Sequence, residues 1–329
     1  MEFRPHPLLR SPHLQTLLSS RIVRGGDGVG ADLHAAAQAV VLTARDGTRL
    51  QALVDAPQPG APRPGAPLVV VIHGWLGRAD SPYVRRAAAA LSGAGFRVAR
   101  LHLRDHGDTA HLNEGMFNAA RIDEVADACN GLVAHTGAAS AYLLGYSLGG
   151  NFVLRLATHH ELDGAFRRTL AVCPVLDPAA AVHELDRGWV MYQRYFMGKW
   201  RRAFAAKQAA FPQRYDFTDA RPLSLVSTLT DYFVSRHTPF RDADEYYGYY
   251  TLGSDLLPRL RVPTRILATE DDPVVPVSHA RAMASAPGGS DVVSIVSHGG
   301  HCGFLADLSL RSALDDYVVG WFEAPHRSR

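Results

Sequence analysis

A serine stands between two glycines in "LLGYSLGGNFVL" (residues 143–154), where an apolar run turns at Gly145-Tyr146-Ser147-Leu148-Gly149 and continues with helical spacing. The pattern is G-x-S-x-G, and its setting, an apolar strand before and a helix after, is the one in which a sharp turn holds a serine Oγ out of a sheet. The flanking positions must lack a Cβ so that strand and helix can approach, and the serine backbone is expected to be strained. A helix N-terminus at that point favours developing negative charge. The chemistry implied is nucleophilic attack on an acyl carbon. The plainer alternative is a serine that only caps a helix.

A serine hydroxyl needs a base to take its proton, and the strand-turn-helix context predicts the chain order serine, acid, histidine. "VVSIVSHGGHCGF" supplies His301 as the expected base, with Gly299 and Gly300 before it; His298, at the strand end, is the alternative. "RILATEDDPVVP" supplies Asp272 as the expected acid, with Asp271 and Glu270 as alternatives. The acid would fix the imidazole tautomer and stabilise the imidazolium. Two backbone N–H groups are expected to hold the oxyanion: Leu148, next to the serine, and Trp75 in "HGWLG". His73 is expected to orient that loop. Such a site transfers acyl groups to water without metal or organic cofactor, and residue types alone leave thioesters and amides open beside esters. A non-catalytic binding module on the same scaffold is the remote alternative.

These residues need a frame. "AVVLTA" and "TRLQALV" flank Arg45-Asp46-Gly47, predicting a tight antiparallel hairpin in which Asp-Gly takes positive φ. From "PLVVVIHG" onward, continuous apolar runs alternate with helical periods, the mark of parallel strands covered on both faces. Strands are expected at 67–73, 96–103, 141–146, 168–174, 263–269 and 291–297. Helices are expected at 82–94, with Ser81-Pro82 as its capping start, and at 118–135, 148–160, 278–286 and 305–323. Between 176 and 258 the alternation stops, yet 16 of the 13 Phe, 12 Tyr and 4 Trp residues fall there. The expectation is a hydrolase-like core at 1–175 and 259–329, interrupted by a helical lid at 176–258. The lid would lie over the carboxyl ends of the strands, where ligands bind in such sheets.

Composition narrows the partners. A net charge of +2, with 34 basic and 32 acidic residues and no basic block, argues against nucleic acid. The N-terminal residues mix charge and proline into every apolar run, and no run approaches spanning length, so a soluble, cytoplasmic protein is expected. The oligomeric state stays open. Cys129, Cys173 and Cys302 are expected as reduced, buried thiols. The Pro/Gly/Ala-rich "APQPGAPRPGAP" (56–67) is expected as an exposed loop. "LHLRDHGDTAH" approaches an H-x-H-x-D-H metal motif, but the register puts Leu101 and Leu103 where histidines are required, and no metal is expected.

Taken together, "FRPHPLLRSPHLQT", "HGWLGRADSPYV", "GYSLGGN", "EDDPVVP" and "HGGHCGF" resemble, in order and over almost the whole chain, the YheT-like branch of the α/β-hydrolase superfamily. The resemblance implies an α/β-hydrolase fold and carboxylesterase-like activity on small-molecule or lipid-like esters, while the lid inserted after the sixth strand is expected from the aromatic-rich interval itself. The resemblance also implies Ser147, Asp272 and His301 as nucleophile, acid and base. One segment departs from the family pattern: after the fourth strand Arg104 and Gly107 remain, but the residues between them differ.

Overall fold

The computed structural model describes residues 3–21, 35–56 and 65–324. Most of the expected loop at 56–67 lies outside the described residues. In chain order the helices and strands are α1 (Pro12–Arg21), β1 (Gln38–Thr43), β2 (Arg49–Val54), β3 (Leu68–Ile72), α2 (Pro82–Gly93), β4 (Arg97–Leu101), α3 (Ile122–Thr136), β5 (Ala141–Tyr146), α4 (Leu148–Leu156), β6 (Phe166–Val172), α5 (Pro178–Arg187), α6 (Val190–Ala210), α7 (Val226–His237), α8 (Ala243–Tyr250), β7 (Thr264–Thr269), α9 (Ser278–Ser285), α10 (Gly289–Val292), β8 (Val293–Val296) and α11 (Ala313–Glu323).

Eight strands form one sheet in the order β1-β2-β4-β3-β5-β6-β7-β8. The β1–β2 and β2–β4 pairs are antiparallel, and every other pair is parallel. Every residue of β3 and β5 is buried, as expected for strands covered on both faces by crossover helices. One face packs Val125, Leu132, Phe152 and Leu154 of α3 and α4. The other packs Val84 and Leu91 of α2 with Leu314, Val318 and Phe322 of α11. Burying a side chain of this size contributes about 1.5–3 kcal/mol, so the two layers hold the central strands, and the loops at their carboxyl ends, in place.

Several local expectations are corrected. The β1–β2 hairpin does turn through Arg45-Asp46-Gly47, with Ala44 N–H donating to Thr48 O (2.7 Å), but Asp46 does not take positive φ. Only Gly47 takes positive φ there (83°), the arrangement of a turn closed by a glycine bulge. Ser81 precedes α2, but its Oγ accepts from the Arg78 N–H (2.9 Å) instead of from the helix. The last helix begins at 313 and not at 305, because Ser312 Oγ accepts from Leu314 N–H at its start and Leu310 upstream has φ of 62°. The helix after Ser147 stops at Leu156, the one expected at 118 starts at Ile122, and the sixth strand ends at Val172. Pro12–Arg21, quoted above only as a motif, is a helix.

Helices α5–α8 fill the interval between β6 and β7. Trp200, Phe204, Phe217 and Phe233 pack against one another in stacked, tilted and edge-on pairs, giving this region its own core. Buried Lys207 ties α6 to the loop after β4. Its Nζ donates to Asp105 Oδ1 (2.9 Å) and to the carbonyls of Asn113 (2.6 Å) and Gly115 (3.1 Å).

Candidate active site

Ser147 occupies the turn between β5 and α4 with φ 54° and ψ −118°, a conformation that side-chain-bearing residues rarely adopt. The flanking glycines are required by contact. A Cβ on Gly145 would lie 2.1 Å from Gly149 O, and one on Gly149 would lie 2.3 Å from Ile72 O and 2.4 Å from His73 O. These obstacles are backbone atoms and cannot move aside. Ser147 N–H donates to Val172 O (2.9 Å) and Ser147 O accepts from Asn151 N–H (3.1 Å), so the strained residue is held from both sides.

His301 and Asp272 meet after β8 and β7. His301 Nδ1 lies 2.8 Å from Asp272 Oδ2, with both side chains nearly buried. Asp272 Oδ1 accepts the N–H groups of Val274 (2.8 Å) and Val275 (2.9 Å), which orient the carboxylate. Burial disfavours a charged imidazole, but the Asp272 charge, with Cys302 and the Asp272 hydrogen bond adding to it, raises the His301 pKa from 6.5 to about 9, making the ring a stronger base than a free imidazole. The alternatives stand elsewhere: Glu270 pairs with Arg281 at the surface, while Asp271 faces the exposed His298 (3.6 Å) and accepts from Gly300 N–H (2.9 Å). Asp271 therefore shapes the turn leading to His301.

The N-terminal helix reaches this turn across nearly the whole chain. His301 N–H donates to Thr16 Oγ1 (2.9 Å), and buried Gln15 bonds both Leu305 O (3.0 Å) and Leu305 N–H (2.7 Å). On its next turn His13 meets Tyr192 Oη of α6 at 3.0 Å. The helix Pro12–Arg21 is mixed in polarity, so Gln15 and Thr16 carry no sequence signal of this role or of where their partners lie. Cys173 and Cys302 are free and buried. Their sulfurs and a nitrogen of His301 lie within 4.8 Å of one another, so the ligand-type atoms that gather among the described residues are here and not in the 101–111 segment.

In the loop after β3, Gly74 N–H donates to Tyr83 Oη (2.9 Å), Leu76 N–H to His106 Nε2 (3.0 Å) and Gly77 N–H to Gly74 O (2.9 Å). Among the described residues the Trp75 N–H has no acceptor, and neither has the Leu148 N–H at the start of α4. Both residues line the space around Ser147. His73 braces the loop: its Nδ1 donates to Gly74 O (2.8 Å), and its Nε2 accepts from Leu103 N–H (3.3 Å). Arg104, in the segment that departs from the family pattern, is spent on Glu124 and Thr48.

His73, His102 and His106 pack together, with ring centroids 4.9 Å (His73–His106) and 5.9 Å (His73–His102) apart. Both His102 nitrogens are buried without a partner. Burial depresses all three pKa values, those of His102 and His106 to about 4. The native state keeps the rings neutral, whereas the unfolded chain protonates below its pKa of 6.5. Stability is therefore complete above that value and is lost as pH falls toward 4. By pH 5 the expected loss is about 2 kcal/mol for each of His102 and His106, read from urea midpoints at pH 7.5 and 5. His102→Leu should lessen the difference.

Two cavities share Ser147, Trp75, Phe196 and Val274 as walls. One, about 100 Å³, is lined by Leu185, Phe233 and Tyr250 among other apolar groups and by no charged side chain. The other, about 170 Å³, is lined by His301, Lys199, Tyr83 and Ser20 of α1. Each far exceeds the ~10–15 Å³ that one water needs.

The eight-stranded, mostly parallel sheet with helices on both faces is the α/β-hydrolase fold, and the family comparison agrees. Residues 67–308 match the family model described as the alpha/beta hydrolase fold, and the chain belongs to that family. Within it, the chain is similar to the Escherichia coli (strain K12) protein named "Putative esterase YheT", 25% identical over 267 residues and 78% of each chain. In fold it is similar to the Pyrococcus furiosus esterase Pf2001 (12% identity, TM-score 0.59, covering 89% of this chain and 94% of that one). It is likewise similar to the naproxen esterase of Bacillus subtilis (14% identity, TM-score 0.54, 89% and 94% covered). Among the described residues no helix is long and apolar enough to cross a membrane.

Proposed function

We propose that this protein hydrolyses carboxylic esters of apolar acids through a serine-bound acyl intermediate. The observation that carries the proposal is that His301, paired with Asp272 at 2.8 Å, lines the same cavity as a serine on a strained strand-to-helix turn. His301 takes the Ser147 proton as Oγ attacks the ester carbonyl, while Asp272 holds the ring and stabilises the imidazolium. The free N–H groups of Trp75 and Leu148 receive the oxyanion. His301 then protonates the departing alcohol and activates the water that releases the acid.

Helices α5–α8 act as the cover of the site. Phe196 and Trp200 of α6, Phe233 of α7 and Tyr250 of α8 wall the apolar cavity, and a water-excluding wall strengthens every electrostatic interaction inside it. The esterase names of the relatives agree with this chemistry. The test joins two measurements. Purified protein should take up one equivalent of a fluorophosphonate probe, and nitrophenyl esters should be cleaved faster as the acyl chain lengthens from acetyl to about octanoyl. Absence of labelling, or a preference for charged acyl groups, refutes the proposal.

A further inference from the structure

We infer that the second cavity seats the leaving alcohol, and that this alcohol carries an anionic group, phosphate or carboxylate, held by Lys199. The inference rests on the ester-hydrolase proposal and extends it to the other half of the substrate. When the tetrahedral intermediate collapses, the bond between acyl carbon and leaving oxygen breaks. The electron pair stays on that oxygen, and its proton comes from His301 Nε2, since Nδ1 is engaged by Asp272. The leaving oxygen must therefore lie on the His301 side of Ser147. His301 lines the second cavity and not the first. The acyl part, bonded to Ser147, is left in the cavity walled by Leu148, Phe233 and Tyr250.

The linings differ in the sense this assignment requires. No charged side chain lines the acyl cavity, whereas Lys199 lines the second. Lys199 Nζ donates to Leu76 O (3.0 Å) and lies 4.8 Å from the Tyr195 ring centroid. Among the described residues no Asp or Glu pairs with it, and no carboxylate lines the cavity. Lys207, two turns along the same helix, is a structural lysine by contrast, neutralised by Asp105 and three carbonyls. An ammonium donates three hydrogen bonds, so Lys199 retains donors for a ligand. A half-buried cation with no counter-ion among the described residues, lining the same cavity as Ser147, favours an anion on the substrate. Hydroxyls of Ser20, Ser81 and Tyr83 in the same wall suit a polar alcohol.

Four octanoyl esters test this: those of glycerol 3-phosphate, glycerate, glycerol and choline, compared by kcat/KM in wild type, Lys199→Met and Lys199→Glu. Wild type should favour one anionic ester over the glycerol ester by about tenfold or more, and whichever of the two is faster tells phosphate from carboxylate. Lys199→Met should bring that ratio to within about threefold of one, and Lys199→Glu should turn the preference toward the choline ester. Ratios within each variant are independent of any general loss of activity, and Lys199→Met suffices if the glutamate variant does not fold. A wild-type ratio near one, or a ratio that Lys199→Met leaves intact, overturns the inference. Nitrophenyl octanoate separates the two levels: if it is cleaved without any anionic preference, only the leaving-group assignment falls, whereas if neither it nor the fluorophosphonate reacts, the ester-hydrolase proposal falls too.

Discussion

Ser147→Ala is expected to lower kcat for nitrophenyl octanoate by about 10⁴-fold or more and to abolish fluorophosphonate labelling, with the melting temperature unchanged within about 2 °C. On the proposed mechanism, removing Oγ removes the atom that carries the acyl group. The substitution keeps the Cβ, so the backbone strain at φ 54° is the same in both proteins, and stability has no reason to move. Residual turnover would come from the oxyanion donors and binding, which act without the nucleophile. If the variant kept a tenth of the activity, the nucleophile would have to be sought elsewhere. The nearest candidate is Cys302, which lines the same cavity.

Asp272→Asn should cost about 10⁴-fold in kcat, the size such a change has in a Ser-His-Asp triad. The reason is tautomeric. Oδ1 of Asp272 accepts two backbone N–H groups, and in asparagine the carbonyl oxygen must keep that place, because an NH₂ there would face two donors. The NH₂ is then turned toward His301 Nδ1 and can only donate to it. The ring proton moves to Nε2, leaving no lone pair for the Ser147 proton. Loss of the carboxylate charge also removes the main force that lifts the His301 pKa against its burial. The neutral ring is the active base, so the rising limb of the residual pH–rate profile shifts to lower pH. Asp271→Asn, which can still accept from Gly300 N–H, is expected to lose only a few-fold. The reverse order of the two variants would move the acid to Asp271.

Much of the site was legible because its chemistry depends on residue type. The Gly145–Gly149 turn announced itself through glycines that close packing makes obligatory, and the Asp272–His301 pair through acidic and imidazole groups placed just after apolar strands. What stayed hidden was supplied by contacts with no local signal. Thr16 holds the backbone of His301 across 285 positions, and nothing in "SPHLQT" states which loop it will meet. Lys199 and Lys207 stand on one helix with the same side chain, yet one is neutralised by Asp105 and the other is not. Trp75 was expected as an oxyanion donor from its place in the loop. Only the coordinates show that Tyr83 and His106 occupy the neighbouring N–H groups.

By itself the sequence determined the alternation of buried strands and covering helices, the turn that holds Ser147 and the order in which Asp272 and His301 follow it. Each of these is settled by periodicity, a missing Cβ or a titratable group over a few residues. The tertiary structure alone decided which of Asp271 and Asp272 faces His301, that α1 braces the histidine turn, and that Ser147 lines two cavities, only one of which has Lys199 in its wall. Those outcomes depend on which strand ends and helices come within a few ångströms of one another. That follows from the packing of both faces of the sheet at once, which no local stretch of chain encodes.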